Sequence, residues 1–264
     1  MKSDNHDLRE MLAGWPYDPE NAVRLTRGAD GRPIMQVRTP LGIEQYELDG
    51  RPDGRHPHNM ESVLDFQRAR LVMAQAPKSV SALAEGSKAS FRLSVEECAE
   101  LFEESVPYYY RYVHLFEIQD WARTARDTAR NLELFEFVRR YARRKEDRQH
   151  LEQWRPYVLR MNAVARAMLE LETRAHNRAL AILRKTIAQI EALPELDNRT
   201  FELERERSLE ALRETVANIE KNRPLSEREQ LERELRKAVE TEKFERAAEL
   251  RDRIRVLGDH GKLS

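Results

Sequence analysis

Met161-Asn162-Ala163-Val164-Ala165-Arg166-Ala167-Met168-Leu169-Glu170-Leu171-Glu172 lies between Pro156 and Pro194 in a segment without an internal helix breaker. Met161, Val164, Met168, Leu171 and Ala175 step by three and four residues, and Leu180, Leu183, Ile187 and Ile190 continue the alternation in a shifted register. Such spacing gathers apolar side chains on one stripe of a helix, so the segment predicts one long amphipathic helix with a coiled-coil-like seam. Residues 197–222 repeat the pattern with Leu209, Leu212, Val216 and Ile219. Residues 180–191 and 209–220 also match one another at an offset of 29. A duplication would place an antiparallel helical hairpin around Pro194-Glu195-Leu196-Asp197-Asn198, although two amphipathic helices also resemble one another by composition alone.

The glycines sharpen this reading. Of 9 in 264 residues, seven precede residue 87, and none lies between 87 and 257. A P-loop or a dinucleotide-binding turn needs glycines where backbone N–H groups close around phosphate, and neither motif is present. Residues 1–58 hold six of the 11 prolines and six glycines between short alternating runs. Val23–Arg27, Ile34–Arg38 and Ile43–Leu48, with turns at Gly28–Gly31 and Pro40–Gly42, predict a three-stranded antiparallel meander over about 22–48. A sheet this small must pack on a helix.

Helix is expected from near Met60 to before Pro77, and again from the capping box Ser94/Glu97. The following stretch is rich in aromatics: Phe102, Tyr108, Tyr109, Tyr110, Tyr112, Phe116, Trp121, Phe135, Phe137 and Tyr141. Their helical spacing reads as core. Interleaved arginines (Arg111, Arg123, Arg126, Arg130, Arg139 and Arg140) leave base stacking as the alternative. Ser226 and Glu229 form a second capping box that starts a helix near 227, with Leu231, Leu235, Ala238 and Val239 on its apolar face. After Thr241-Glu242-Lys243, the residues Phe244, Ala247, Leu250, Ile254 and Leu257 form the next stripe, closing at Gly258. Ala238, Ala247 and Ala248 would let the two helices approach closely, and Phe244 at the tip would be only partly covered.

This last pair of helices resembles the UVR motif, also called the UvrB/UvrC motif. Phe244-Glu245-x-Ala247-Ala248-x-Leu250-Arg251-Asp252-x-Ile254 carries the likeness, which spans about residues 225–258. In that family the hairpin joins the damage-recognition and nuclease subunits of bacterial nucleotide excision repair, and it recurs in stress-response adaptors and Clp-type ATPases. The resemblance implies a protein-docking module, with Phe244, Glu245, Ala248, Arg251 and Asp252 as partner-binding residues. The family's whole-chain owners carry nucleotide-binding, nuclease or multi-cysteine zinc motifs that this sequence lacks.

Catalytic candidates are few. His56 and His58 flank Pro57 in a turn, Glu103-Glu104 sits on a charge-dense helix where carboxylates make solvated ion pairs, and the single cysteine, Cys98, lies on an apolar stripe. No enzyme activity, cofactor or metal is expected. A net charge of −1 conceals polarity: residues 121–185 hold 16 Lys/Arg against 8 Asp/Glu, while residues 1–120 hold 14 against 20. The basic segment 121–185 keeps a nucleic-acid-binding reading as the alternative to the adaptor reading. With no membrane-length apolar run, no signal-like start and one cysteine, the chain reads as cytoplasmic, and its long helices allow oligomerisation. The expectation is a mainly α protein: a small N-terminal antiparallel β-meander (1–58), a helical, aromatic-rich body (59–156), a long helical hairpin (157–223) and a C-terminal αα-hairpin (224–264).

Overall fold

A computed structural model describes residues 8–76, 91–223 and 227–260. The chain forms two compact units, 1–216 and 217–264. In the first, β1 (Val23–Arg27), β2 (Pro33–Thr39) and β3 (Gly42–Glu47) pair antiparallel in the order β1-β2-β3, with Leu25 opposite Met35 and Met35 opposite Tyr46. The β1–β2 reversal uses Gly31 at φ 84, a backbone region closed to most side chains. The meander is as expected, and so is its support. Met35, Val37, Tyr46 and Leu48 bury one face of the sheet against Leu115 of helix α3 (Val95–Glu117), with Ile118 beside them.

Helix α1 (Arg9–Ala13) precedes the sheet and α2 (Val63–Gln75) follows it; the body is then built from α3, α4 (Trp121–Tyr141), α5 (Lys145–His150), α6 (Arg155–Glu172), α7 (His176–Glu191) and α8 (Arg199–Asn222). Closest packing joins α3 with α4, α4 with α6 and α6 with α7. Ser94 caps α3 as its sequence implies, accepting from the Glu97 N–H at 3.2 Å while Glu97 accepts from the Ser94 N–H at 2.8 Å. The main core joins Val63 and Leu64 of α2, Cys98 and Leu101 of α3, Leu134, Phe135 and Val138 of α4, and Val158 of α6.

The single helix expected between Pro156 and Pro194 is instead two. Arg174 takes φ 58, its N–H bonds Leu171 O at 2.9 Å, and the Ala175 N–H bonds Glu170 O at 2.8 Å. This 6→1 and 5→2 pair closes a helix end in the Schellman manner, with arginine where glycine is usual. The α3–α4 connection repeats it: Gln119 has φ 60, with bonds from Gln119 to Phe116 and from Asp120 to Leu115. Both links are three residues long. At the far end of α7, Arg205 and Arg213 of α8 both reach Glu191, at 2.7 Å each.

Buried charges lock the pieces together, against the expectation that helix carboxylates would make solvated pairs. Glu104 is fully buried. It accepts from the Val63 N–H at 2.6 Å and the Leu64 N–H at 3.1 Å at the start of α2, from Arg51 at 2.7 Å, and from Arg130 of α4. Thus one carboxylate fills the donors of a helix N-terminus and pairs with two guanidinium groups, one of which, Arg51, has Asp53 as a second partner. Arg111 makes a two-point pair with Asp127 at 2.6 and 2.8 Å and donates to Glu47 O at 2.7 Å and Gly50 O at 3.0 Å, tying α3 and α4 to the end of the sheet.

Candidate protein-docking site

The second unit contains the last two helices, α9 (Glu227–Glu240) and α10 (Phe244–His260). Leu231, Ala238, Ala247 and Leu250 are buried between them, with Leu235 and Ile254 packed alongside. Alanine at 238 and 247 leaves room for close approach near the turn, and leucine at 231 and 250 fills the wider part. The turn is again three residues with a left-handed centre. Glu242 has φ 55, its N–H bonds Val239 O at 3.1 Å, and the Lys243 N–H bonds Ala238 O at 2.8 Å. The Ser226/Glu229 cap lies outside the described side chains, and α10 continues two residues past Gly258, which therefore does not end it.

Phe244 takes no part in that core. It is 68% exposed at the first position of α10, and Val239, expected on the inner face, is 50% exposed. Ala248 is exposed too, so it is not among the small residues that admit the partner helix. Four residues separate Phe244 from Ala248 and three more reach Arg251, which sets these side chains on one face of α10. Glu245 and Asp252 lie on the adjoining face, both exposed, with Asp252 3.5 Å from Arg255. Arg246 bridges the helices, 2.9 Å from Glu249 and 3.5 Å from Glu234. The five residues expected to bind a partner thus form a solvent-facing surface: an apolar tip of Phe244 and Ala248 bordered by mixed charges.

Residues 226–259 match the UVR, UvrB/uvrC motif. No curated protein and no solved structure matches the chain. The UVR hairpin has a filled interior and an exposed aromatic at its tip, so its geometry suits contact with another macromolecule rather than shelter of a small ligand.

Elsewhere the sequence candidates separate. Cys98 is buried, and burial, with Asp147 and Glu97 nearby, pushes its thiol up to about 12, so the nucleophilic thiolate is disfavoured. His58 stacks on Phe66 at 4.0 Å and lies 3.2 Å from Glu100. Among the described residues no cluster of three metal-ligating side chains occurs. Five of the arginines interleaved with aromatics are paired with carboxylates: Arg111 with Asp127 and Arg130 with Glu104 in the interior, Arg123 with Asp120 partly buried, and Arg126 with Asp49 and Asp127 and Arg139 with Glu136 nearer the surface. Most of the aromatics are core, as their spacing implies, but Tyr109 and Tyr110 are exposed. Among the described residues no helix is long and apolar enough to cross a membrane.

Proposed function

We propose that the chain is a non-catalytic adaptor whose UVR hairpin docks a protein partner, in bacterial DNA repair or stress proteolysis. One observation supports this above the others: Phe244 is two-thirds exposed on a hairpin whose interior is filled without it. A large ring held in water by a rigid turn contributes little to folding and is available to an interface, where aromatic anchors carry much of the binding energy. The UVR match itself supports contact with another macromolecule and does not name it.

The test compares three proteins as bait in lysate: the full chain, the chain ending at Arg223, and full-length Phe244→Ala. The reading expects a discrete partner retained by the full chain and lost from both variants. A partner set unchanged by removal of residues 224–264 would move the docking surface into the body and end this proposal.

A further inference from the structure

A second feature lies in the first unit, at the corner where α4 turns into α5. Arg139-Arg140-Tyr141-Ala142-Arg143-Arg144-Lys145-Glu146-Asp147-Arg148 holds six Lys/Arg against two Asp/Glu, and each of these cations is exposed. Backbone hydrogen bonds hold the corner in place. Leu93, just before α3, bridges in parallel to Ala142: its N–H bonds Tyr141 O at 2.9 Å, and the Arg143 N–H bonds Leu93 O at 3.3 Å. Leu93 and Ala142 are buried, so the alternation of extended backbone turns their neighbours Arg92 and Arg143 outward. Arg92 also donates to Arg140 O at 3.1 Å. Two segments distant in sequence thus share one cationic surface.

The fold itself uses part of this charge. Arg139 pairs with Glu136 at 2.6 Å, Arg144 pairs with Asp147 at 2.8 Å, and Arg140 suits the carbonyl end of α4. The Arg143, Lys145 and Arg148 side chains, by contrast, make no hydrogen bond, ion pair or ring contact among the described residues. Like charges gathered over residues 143–148 repel one another, and a bound polyanion relieves that repulsion.

The surroundings select the polyanion. Apart from Val95, the exposed side chains of residues 92–96 and 139–149 are charged or polar, so the corner lacks the apolar anchors of a protein interface or a membrane-surface helix. Single strands are held by bases stacked on open rings. Here Tyr141 is half-buried and packs on Phe137 at 4.8 Å and on Phe91 at 5.3 Å. Contacts to duplex RNA lean on 2′-hydroxyls as well as phosphates, whereas non-specific complexes with duplex DNA rest on phosphates.

We propose that this corner binds the phosphate backbone of duplex DNA without reading its sequence. Guanidinium forks pair with phosphate oxygens, and release of condensed counterions drives association.

Fluorescence anisotropy of a labelled DNA duplex of about 20 base pairs, titrated with the full chain at about 50 mM salt, tests this. Saturable binding is expected. The combined variant Arg143→Gln, Lys145→Gln and Arg148→Gln disturbs no internal contact; it should weaken binding about tenfold or more and lower the slope of log Kd against log salt by about 2. A control variant, Arg166→Gln, Lys185→Gln and Arg199→Gln, removes the same charge elsewhere on the body and should stay within about threefold of the original affinity. Absence of saturable binding, or equal losses in the two variants, would overturn the proposal. So would tighter binding of single-stranded DNA, duplex RNA or polyglutamate than of the DNA duplex, each of which would give the corner a different partner.

Discussion

Gln119, Arg174 and Glu242 each end a helix at a single residue in the left-handed region. Each sits at the centre of a three-residue link with φ between 55 and 60, and each is followed by the same pair of backbone bonds. A side chain in this region costs about 1–2 kcal/mol against the right-handed alternative, and glycine avoids that cost. Glu242→Gly should therefore stabilise the UVR hairpin by about 1 kcal/mol, read from the urea midpoint of the peptide 224–264; destabilisation would mean that the glutamate side chain holds the turn. The sequence legibly marked helix starts, since Ser94 and Glu97 announce a cap chemically, and the turn at Thr241-Glu242-Lys243 showed as an interrupted stripe, whereas the helix ends at Gln119 and Arg174 leave no residue signature. That is why the break at Arg174 was hidden inside a continuous apolar stripe. Glu104 is the opposite case, conspicuous in sequence but misread, because nothing local shows that Arg51, Arg130 and the start of α2 converge on it. Glu104→Ala takes the carboxylate from Arg130 and from two buried N–H donors, and leaves Arg51 with Asp53 alone. It should cost about 3–5 kcal/mol in a chemical denaturation curve, and a loss below about 1 would show that water replaces the carboxylate.

Among the elements, the UVR hairpin shows how periodicity and packing divide the information. The 3/4 spacing correctly selected Leu231, Leu235, Ala238, Ala247, Leu250 and Ile254 as interior. It also enrolled Val239 and Phe244, and small size enrolled Ala248, because a heptad-like pattern marks a wide stripe, while two helices meeting at a tight turn cover only its centre. Phe244 is the residue on which this matters most. Were it wedged between the helices, Phe244→Ala would melt the hairpin at a cost of about 3–5 kcal/mol. Given its exposure, the substitution should change the stability of the 224–264 peptide by no more than about 0.5 kcal/mol. It should weaken partner binding by about 2 kcal/mol or more, read as a rise in Kd of about thirtyfold. Parallel losses of stability and affinity would return Phe244 to the core and leave Glu245, Glu249, Arg251 and Asp252 as the docking surface. In the body, the same periodicity identified Tyr112 and Phe135 as core, yet gave no sign that Tyr109 and Tyr110 face water.

For the whole molecule, the polarised charge of the sequence is turned inward only in part, since most of the lysines and arginines of 121–185 are exposed. The acidic first 120 residues meet the basic segment after them through Asp49 with Arg126, Glu104 with Arg130, and Asp120 with Arg123, so part of the apparent basic face is internal cement. The sheet cluster and the main core draw only on residues up to Val158, and the hairpin cluster only on Leu231 to Ile254. If the cores are separate, so are the cooperative units. A hairpin of about 40 residues with a handful of buried aliphatics is marginal on its own, whereas the body has a core of ordinary size. Calorimetry of the full chain should then show a dominant transition from the body and a weak, broad one from the hairpin. Ending the chain at Arg223, which keeps α8 whole, should remove the weak transition and leave the main Tm within about 2 °C of its original value. A fall of more than about 5 °C would mean that the hairpin is folded into the body's cooperative unit. In that event its docking surface could not be treated as a module carried on an independent scaffold, and removing it would disturb the whole protein rather than one contact.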